Sequence, residues 1–428
     1  MTPDDDNQPD DLERRLRDAF GQRAPGQDPD SFLSDVHRGA RRRRRRRVAS
    51  GVLATAAVVA VAAYGVGATG AFDQDANNVA DQDRTPTTGT TGGESPSSAD
   101  TASTEPSPAD GNTRVLSLSA TDSDHQYVLV AGKFGCQGDC LKAYTTDDAG
   151  ASFEPTSPVG LIPSDPDPTT DTAYGIRFAD TDNGWVFGGG LRATHDGGAS
   201  WTKPTLPANG IVTSLEAWGT FVFAVVQNPE TSDVTVERSD VGSDDWSTVD
   251  IGTPLQYATQ LARSEDVTAL LASPTQVSAD NEVFVSNDDG DSWAGDRDPC
   301  TGKTYPSSIS TSEGALWTVC SPDTGRTGAT PYVSTDSGVT WTPTEGSFSP
   351  GTQIQARDGG AAFVLDPSKS GTTLVTVDGA PERKLVGEGY FFAVGFTTPS
   401  TGYLQSDDYR MIRTQDSGAT WQDYPTPP

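Results

Sequence analysis

The stretch THDGGASW, residues 194–201, decides the fold because it does not stand alone. Its elements are a Ser or Thr, an Asp two residues on, a Gly two further, then a second Ser or Thr and a closing aromatic. The same pattern returns as TDDAGASF at 146–153, SNDDGDSW at 286–293, STDSGVTW at 334–341 and TQDSGATW at 414–421. Two degraded copies complete the series. RSDVGSDDW at 238–246 carries one extra residue, and TVDGAPE at 376–382 lacks the later Gly and Trp. The seven starts fall 48, 44, 48, 48, 42 and 38 residues apart.

A period of about 40–50 residues with several short strands per unit is the sequence signature of propeller blades. Three strand-like runs precede each motif, as YGIRFAD, GWVFGGG and LRAT do in the second unit, and the motif then turns the chain into a fourth strand. The expected fold is all-β, a seven-bladed β-propeller over residues 114–428. It opens on RVLSLSA from Arg114 and closes near Tyr424.

The motif has a structural chemistry of its own. Asp148, Asp196, Asp240, Asp288, Asp336, Asp378 and Asp416 stand where a short carboxylate accepts backbone N–H groups across a tight turn. Gly150, Gly198, Gly290, Gly338 and Gly418 then supply a positive φ. Trp201, Trp246, Trp293, Trp341 and Trp421 begin the outer strand and are expected to bury themselves in the blade. A metal or catalytic role for these aspartates is disfavoured, because identical turns repeated around a ring do not converge on one site. No cofactor is expected.

The five complete copies resemble Asp-box, or BNR, repeats, which occur in sialidase-like propellers, sortilin-type receptors and photosystem II assembly factor-like proteins. The resemblance covers about three-quarters of the chain and implies the propeller without implying an activity. Sialidase-like enzymes use three arginines to hold a carboxylate, a Tyr with a Glu partner and an Asp acid. Here Arg177, in GIRFAD, is the nearest to their motif arginine but lacks the accompanying Pro, and Glu388 and Tyr390 are only neighbours in sequence. A sialidase-like glycoside hydrolase is therefore the minority reading. A catalytic carboxylate pair among so many acids is legible only in space.

Composition narrows the partners. The chain has 30 Lys and Arg against 60 Asp and Glu, a formal charge of -30, so it repels polyanions and is not expected to bind nucleic acid. Basic residues concentrate in the unbroken run Arg41–Arg47, immediately before VASGVLATAAVVAVAAYGVGATGAF at residues 48–72, which carries no formal charge. An apolar stretch of about 18 or more residues spans a bilayer as a helix, and flanking arginines stay on the cytoplasmic side. The expectation is one transmembrane helix over 48–72 with the N-terminus cytoplasmic and the propeller outside the cell. The rival is a cleaved signal peptide, against which stand the 47 residues that precede the span.

Residues 73–113, rich in Ser, Thr, Pro, Gly and Asp, cannot bury enough apolar surface to offset their ordering entropy and read as a stalk. Within the cytoplasmic tail, 1–47, DDLERRLRDAF sets Leu12, Leu16 and Phe20 four residues apart, the spacing of a short amphipathic helix. Residues 11–40 are thus the candidate docking segment for a cytoplasmic protein. The arrangement resembles that of actinobacterial membrane proteins placed near extracytoplasmic-function sigma factors, some of them anti-sigma factors. A sigma factor is accordingly the candidate partner, although the zinc-binding His and Cys pattern of many anti-sigma domains is absent.

Four cysteines in an exported domain read as disulfides, paired locally as Cys136–Cys140 and Cys300–Cys320, with a zinc site as the rival. The ligand, an envelope protein or a glycan, is expected on the face opposite the motif turns, where the longer loops gather. Phe134, Tyr305, Arg326 and Tyr409 are the anchors expected there, with Asp407 and Asp408 as polar partners. The chain thus reads as a membrane-anchored, extracytoplasmic, non-catalytic binding module of the bacterial envelope. A transmembrane regulator with a propeller sensor is the alternative from another class.

Overall fold

The computed structural model describes residues 58–59 and 114–428, apart from 133–139, 164–171, 278–279, 313, 324–327, 359, 367–371, 377–378, 385–390 and 407–409. All of these described residues belong to the unit Thr55–Pro428. The expected cytoplasmic tail, 1–47, and stalk, 73–113, lie outside the described residues, as does the span 48–72 except for Val58–Val59.

Seven antiparallel sheets follow one another along the chain, one per sequence repeat, and each meanders from its innermost strand outward. Blade 1 runs through Arg114–Ala120, Gln126–Ala131, Leu141–Thr146 and Glu154–Pro155. Blade 2 has Gly175–Phe178, Gly184–Phe187 and Leu191–Thr194, with a single bridge from Ala193 to Thr202 in place of a fourth strand. Blade 3 comprises Ile211–Trp218, Phe221–Gln227, Val234–Asp240 and Ser247–Val249. Blade 4 comprises Tyr257–Arg263, Thr268–Ser273 and Glu282–Ser286, with a bridge from Val285 to Ala294. Blade 5 is built from Thr304–Ser312, Ala315–Pro322, Thr330–Ser334 and Thr342–Pro343. Blade 6 is Gln353–Ala356, Ala361–Leu365, Thr372–Thr376 and Gly379–Lys384. Blade 7 is Phe391–Phe396, Gly402–Ser406, Met411–Thr414 and Gln422–Tyr424.

The core is divided among the joints between blades. Among the described residues seven apolar clusters occur, and each draws residues from two consecutive blades. One of them joins Leu118, Val128 and Tyr144 of blade 1 to Tyr403, Met411 and Tyr424 of blade 7, so the sheets close into a ring. Because a second strand is covered by a neighbouring blade on either side, both of its faces must be apolar or paired. Gln126–Ala131, Thr268–Ser273 and Gly402–Ser406 are accordingly buried at every position. Outer strands lie at the rim and are short and exposed, as at Glu154–Pro155 and Thr342–Pro343. Short edges with Pro resist edge-to-edge pairing between molecules.

Val58–Val59 form a two-residue strand on the inner side of blade 1, antiparallel to it, with Val58 opposite Ser119 and Val59 opposite Leu118. At these two positions the backbone is extended, where the apolar run had suggested helix. Outside a bilayer, an apolar β-branched pair is well suited to an unpaired strand edge. Among the described residues no helix is long and apolar enough to cross a membrane.

Candidate functional site

The repeated turn is a closed hydrogen-bond unit. In blade 1, Thr146 Oγ1 donates to Asp148 Oδ1 at 2.7 Å and accepts the Gly150 N–H at 2.9 Å. Ser152 donates its N–H to the same carboxylate at 2.8 Å and its hydroxyl to Oδ2 at 2.6 Å. The pattern recurs around Asp196, Asp288, Asp336 and Asp416. The Ser152 hydroxyl and N–H, with the Thr146 hydroxyl, hold the Asp148 carboxyl down at about 2, and Asp336 and Asp416 are held likewise. Asp196 is lowered by the same kind of bonds from Ser200 and Thr194. At Asp288, slight burial pushes upward but the bonds from Ser292 and Ser286 prevail.

These turns also seal the ring. A Cβ on Gly150 would lie 2.7 Å from the Tyr424 ring of blade 7, and one on Gly290 would lie 2.6 Å from Phe223 of blade 3. Trp341 Nε1 donates at 3.1 Å to the carbonyl of Arg297, in the chain leaving blade 4. Each complete turn thus sits on the blade before it. Trp246 is buried as expected, but Trp201, Trp293, Trp341 and Trp421 are only half-buried, because their second face covers that neighbouring blade at the rim.

Two expected turns differ. Asp240 ends the third strand of blade 3 and is exposed, and no side-chain bond of the repeated kind forms there. Arg238 stands where the motif needs a hydroxyl, and Ser239 bonds the Ser243 carbonyl at 3.0 Å instead. Asp378 lies outside the described residues, between strands that already pair Thr376 with Gly379. The outer strand of blade 6, Gly379–Lys384, extends to six residues.

The motif turns and the first-to-second strand turns share a face, as expected. Ala149 N–H donates to Asp124 O at 3.0 Å, Gly197 N–H to Asp182 O at 2.9 Å and Ser417 N–H to Ser400 O at 2.9 Å. Of the anchors expected on the opposite face, Phe134, Arg326, Asp407, Asp408 and Tyr409 lie outside the described residues. Tyr305 is described, and it is a strand residue where a loop had been expected. It lies near the start of the innermost strand of blade 5, half-buried and opposite Ser321, because the strand begins at Thr304, immediately before it. Tyr257 opens the innermost strand of blade 4 at the same end; burial and the neighbouring Tyr305 raise its phenol.

The same end of blade 4 carries carboxylates that sequence reasoning had not singled out. Glu282 begins a strand, and burial raises its carboxyl, with Asp296, Asp298 and Asp280 adding to the rise. Asp298 is raised by burial and by Asp296, against the Cys300 N–H, which donates to it at 2.9 Å. The only sequence signal was an acid at the head of the apolar strand EVFVS. Cys300–Cys320 is a disulfide that ties this segment to the second strand of blade 5, with an S–S distance of 2.01 Å. Cys140 is also disulfide-bonded, and its expected partner Cys136 lies outside the described residues. Among the described residues no group of three or more His, Cys, Asp or Glu side chains is set to hold a metal ion.

Arg177 faces inward. Its Nη2 lies 3.0 Å from Glu216 Oε1 across the joint of blades 2 and 3, with the two side chains 1% and 4% exposed. Burial pushes the Glu216 carboxyl up to about 7 against the pull of Arg177. A guanidinium enclosed in this way presents nothing to a ligand on the surface. Glu388 and Tyr390 lie outside the described residues.

No family model matches the chain. A xyloglucanase of Hypocrea jecorina (strain QM6a) is 26% identical over 166 residues, which are 38% of this chain and 18% of that protein. The chain spans less than a fifth of that relative's length. Among solved structures, YCF48 bound to D1 peptide is similar with a TM-score of 0.48 and 15% identity, over 71% of this chain and 91% of its own. YCF48 from Cyanidioschyzon merolae gives 0.49 and 13%, over 72% and 97%. The GH74 xyloglucanase from Xanthomonas campestris gives 0.40 and 15%, over 72% and 59%. The seven blades are counted from this chain's own sheets.

Proposed function

We propose that the chain is a membrane-anchored, extracytoplasmic propeller that binds an envelope protein or a glycan without transforming it. The observation that carries the non-catalytic reading is the use made of the five complete turns. Each motif carboxylate is satisfied within its own turn, so the most repeated acids of the molecule serve architecture. Recognition falls to the opposite face, where Tyr257 and Tyr305 stand at the starts of the innermost strands of blades 4 and 5 and Glu282 begins the third strand of blade 4. Phe134, Arg326, Asp407, Asp408 and Tyr409 fall in sequence between the second and third strands of blades 1, 5 and 7. The anchor rests on Arg41–Arg47 followed by the uncharged run 48–72, and the tail over 11–40 is the cytoplasmic contact, a sigma factor being the candidate partner.

The test joins topology to capture. A reporter fused after Pro428 should be active only where it matures outside the cytoplasm; activity of a cytoplasm-only reporter would refute the anchor. Full-length protein cross-linked in its envelope should yield a defined adduct that Tyr305→Ala weakens while melting stays near that of the parent. Unchanged capture by that variant, with capture lost in a folded motif-turn variant, would place the site on the other face.

A second reading, glycoside hydrolysis, is favoured by one observation: Glu282 and Asp298 are neighbouring carboxyls of raised pKa, and a raised carboxyl is what a general acid requires. A glycan screen that includes xyloglucan, run beside Glu282→Gln and Asp298→Asn, decides it. Hydrolysis abolished by either variant would displace the binding-only reading.

A further inference from the structure

The sequence holds two Asn–Gly pairs, Asn183–Gly184 and Asn209–Gly210. Asparagine is a thermolabile residue, and most so before glycine, because no Cβ shields the following main-chain nitrogen from its side-chain carbonyl. The fold treats the two pairs oppositely. Asn183 Nδ2 donates to both carboxylate oxygens of Asp180 at 3.0 Å, and its Oδ1 lies 2.7 Å from His195 Nδ1. Its main-chain oxygen accepts the Ala179 N–H at 2.9 Å, and Gly184 stands in the second strand of blade 2, paired with Phe178 on one side and Thr194 on the other. Several bonds must break before Asn183 can react with Gly184.

Asn209–Gly210 lies on the connection from the bridge at Thr202 to the innermost strand of blade 3, which begins at Ile211. Asn209 is exposed, and among the described residues nothing hydrogen-bonds its side chain or accepts the Gly210 N–H. No bond has to break first. The glycine itself is demanded by packing. A Cβ on Gly210 would lie 2.4 Å from the Gln227 main-chain oxygen, 2.8 Å from the Gln227 carbonyl carbon and 2.9 Å from Val226 Cγ1. Strand backbone does not yield as the end of a side chain does, so the joint of blade 3 keeps a glycine behind a free asparagine.

We propose that Asn209 is a site of spontaneous deamidation, which sets a new carboxylate on the face opposite the motif turns. The Gly210 nitrogen bonds to Asn209 Cγ as its proton passes to water; the Cγ–Nδ2 bond breaks, and the nitrogen leaves as ammonia with a proton from water. Water then opens the succinimide at either carbonyl, giving aspartate or isoaspartate. No electron is gained or lost, and water is the sole co-reactant. Each product carries a negative charge where the amide had none. Ile211 stands in blade 3 where Tyr257 and Tyr305 stand in blades 4 and 5, each immediately ahead of the residue at which its strand shifts register. The charge thus enters the face to which recognition is assigned above. That consequence rests on that assignment, whereas the conversion does not.

The test uses the full-length chain, incubated warm at mildly alkaline pH for several weeks, then digested and mapped by mass spectrometry. Isoaspartate is counted by methyl transfer from S-adenosylmethionine with an isoaspartyl methyltransferase. In the folded protein Asn209 should convert at least about tenfold faster than Asn183, the worth of more than one net hydrogen bond. In denaturant the two sites should convert at similar rates. An amide retained at 209 in the folded protein, while both sites convert in denaturant, overturns the proposal, and so does equal conversion of both sites in the folded protein. Asn209→Asp, carried through the envelope cross-linking described above, addresses the consequence: its adduct yield should differ from that of the parent. An unchanged yield, with conversion at 209 observed, would count against the recognition face and leave the modification standing, so the two readings fail separately.

Discussion

At the residue scale, each complete turn holds two successive residues at positive φ, and only the second is always glycine. Ala149, Asp289, Ser337 and Ser417 lie at φ of 58, 58, 60 and 61°, immediately before Gly150, Gly290, Gly338 and Gly418. Blade 2 alone places a glycine at this first position, Gly197, at 67°. A side chain in the left-handed region costs about 1–2 kcal/mol. Ala149→Gly should therefore raise stability by about 1 kcal/mol, net of the unfolded-state entropy that glycine adds, as read from the denaturant midpoint. The turn carboxyls make a pH prediction. Their folded pKa lies below the ordinary value, so their contribution is present in full above the ordinary carboxylate range of about 3.9. It is lost as pH falls toward about 2, the value to which Asp148, Asp336 and Asp416 are held. The melting temperature should fall over that window, and Asp336→Asn should lessen the fall; an unaltered profile would count against the turn's role.

At the scale of the element, blades are joined by apolar clusters, and the joint of blades 2 and 3 adds a buried charge pair. Removing one partner of such a pair strands the other in low dielectric. Glu216→Ala should cost about 3–5 kcal/mol by leaving Arg177 uncompensated, whereas replacing both partners with methionine should come near to neutral. Calorimetry of the three variants separates these outcomes. The pair was not legible beforehand. GIRFAD drew attention to Arg177 only as the nearest counterpart of a sialidase-type motif arginine, and which side of an innermost strand meets a neighbouring blade is settled by contacts across 39 residues. Tyr305 is a similar case, since the short connection TGKTYP carries no mark of where loop ends and strand begins.

At the scale of the whole molecule, the ring closes without exchanging a strand between its ends. Blade 7 is built from the C-terminal segment alone, and closure relies on side chains that cross it: Tyr424 Oη donates to Gln126 Oε1 at 2.7 Å, Tyr144 Oη to Pro428 O at 2.8 Å, and Gln405 Nε2 to Val115 O. Tyr424→Phe leaves the Gln126 acceptor without its donor and should cost about 1–3 kcal/mol. Tyr424→Ala also empties the joint beneath Gly150 and should cost about 3–5 kcal/mol, with unfolding still a single transition if the ring is cooperative. The sequence by itself determined the number of blades, the order of the first three strands within each and the five complete motif turns, because these depend on bonds among residues no more than a few positions apart, repeated at a visible period. Even there it read the aspartates but missed the hydroxyls that bond them. Only the tertiary structure decided that each complete turn rests on the blade before it, that Arg177 is enclosed, that Glu282 and Asp298 lie at one end of blade 4, and that the edge at Leu118 pairs with Val59. Those outcomes depend on which sheet faces meet when seven similar units close on themselves, and no local pattern encodes a contact whose partners stand from 16 to nearly three hundred residues apart.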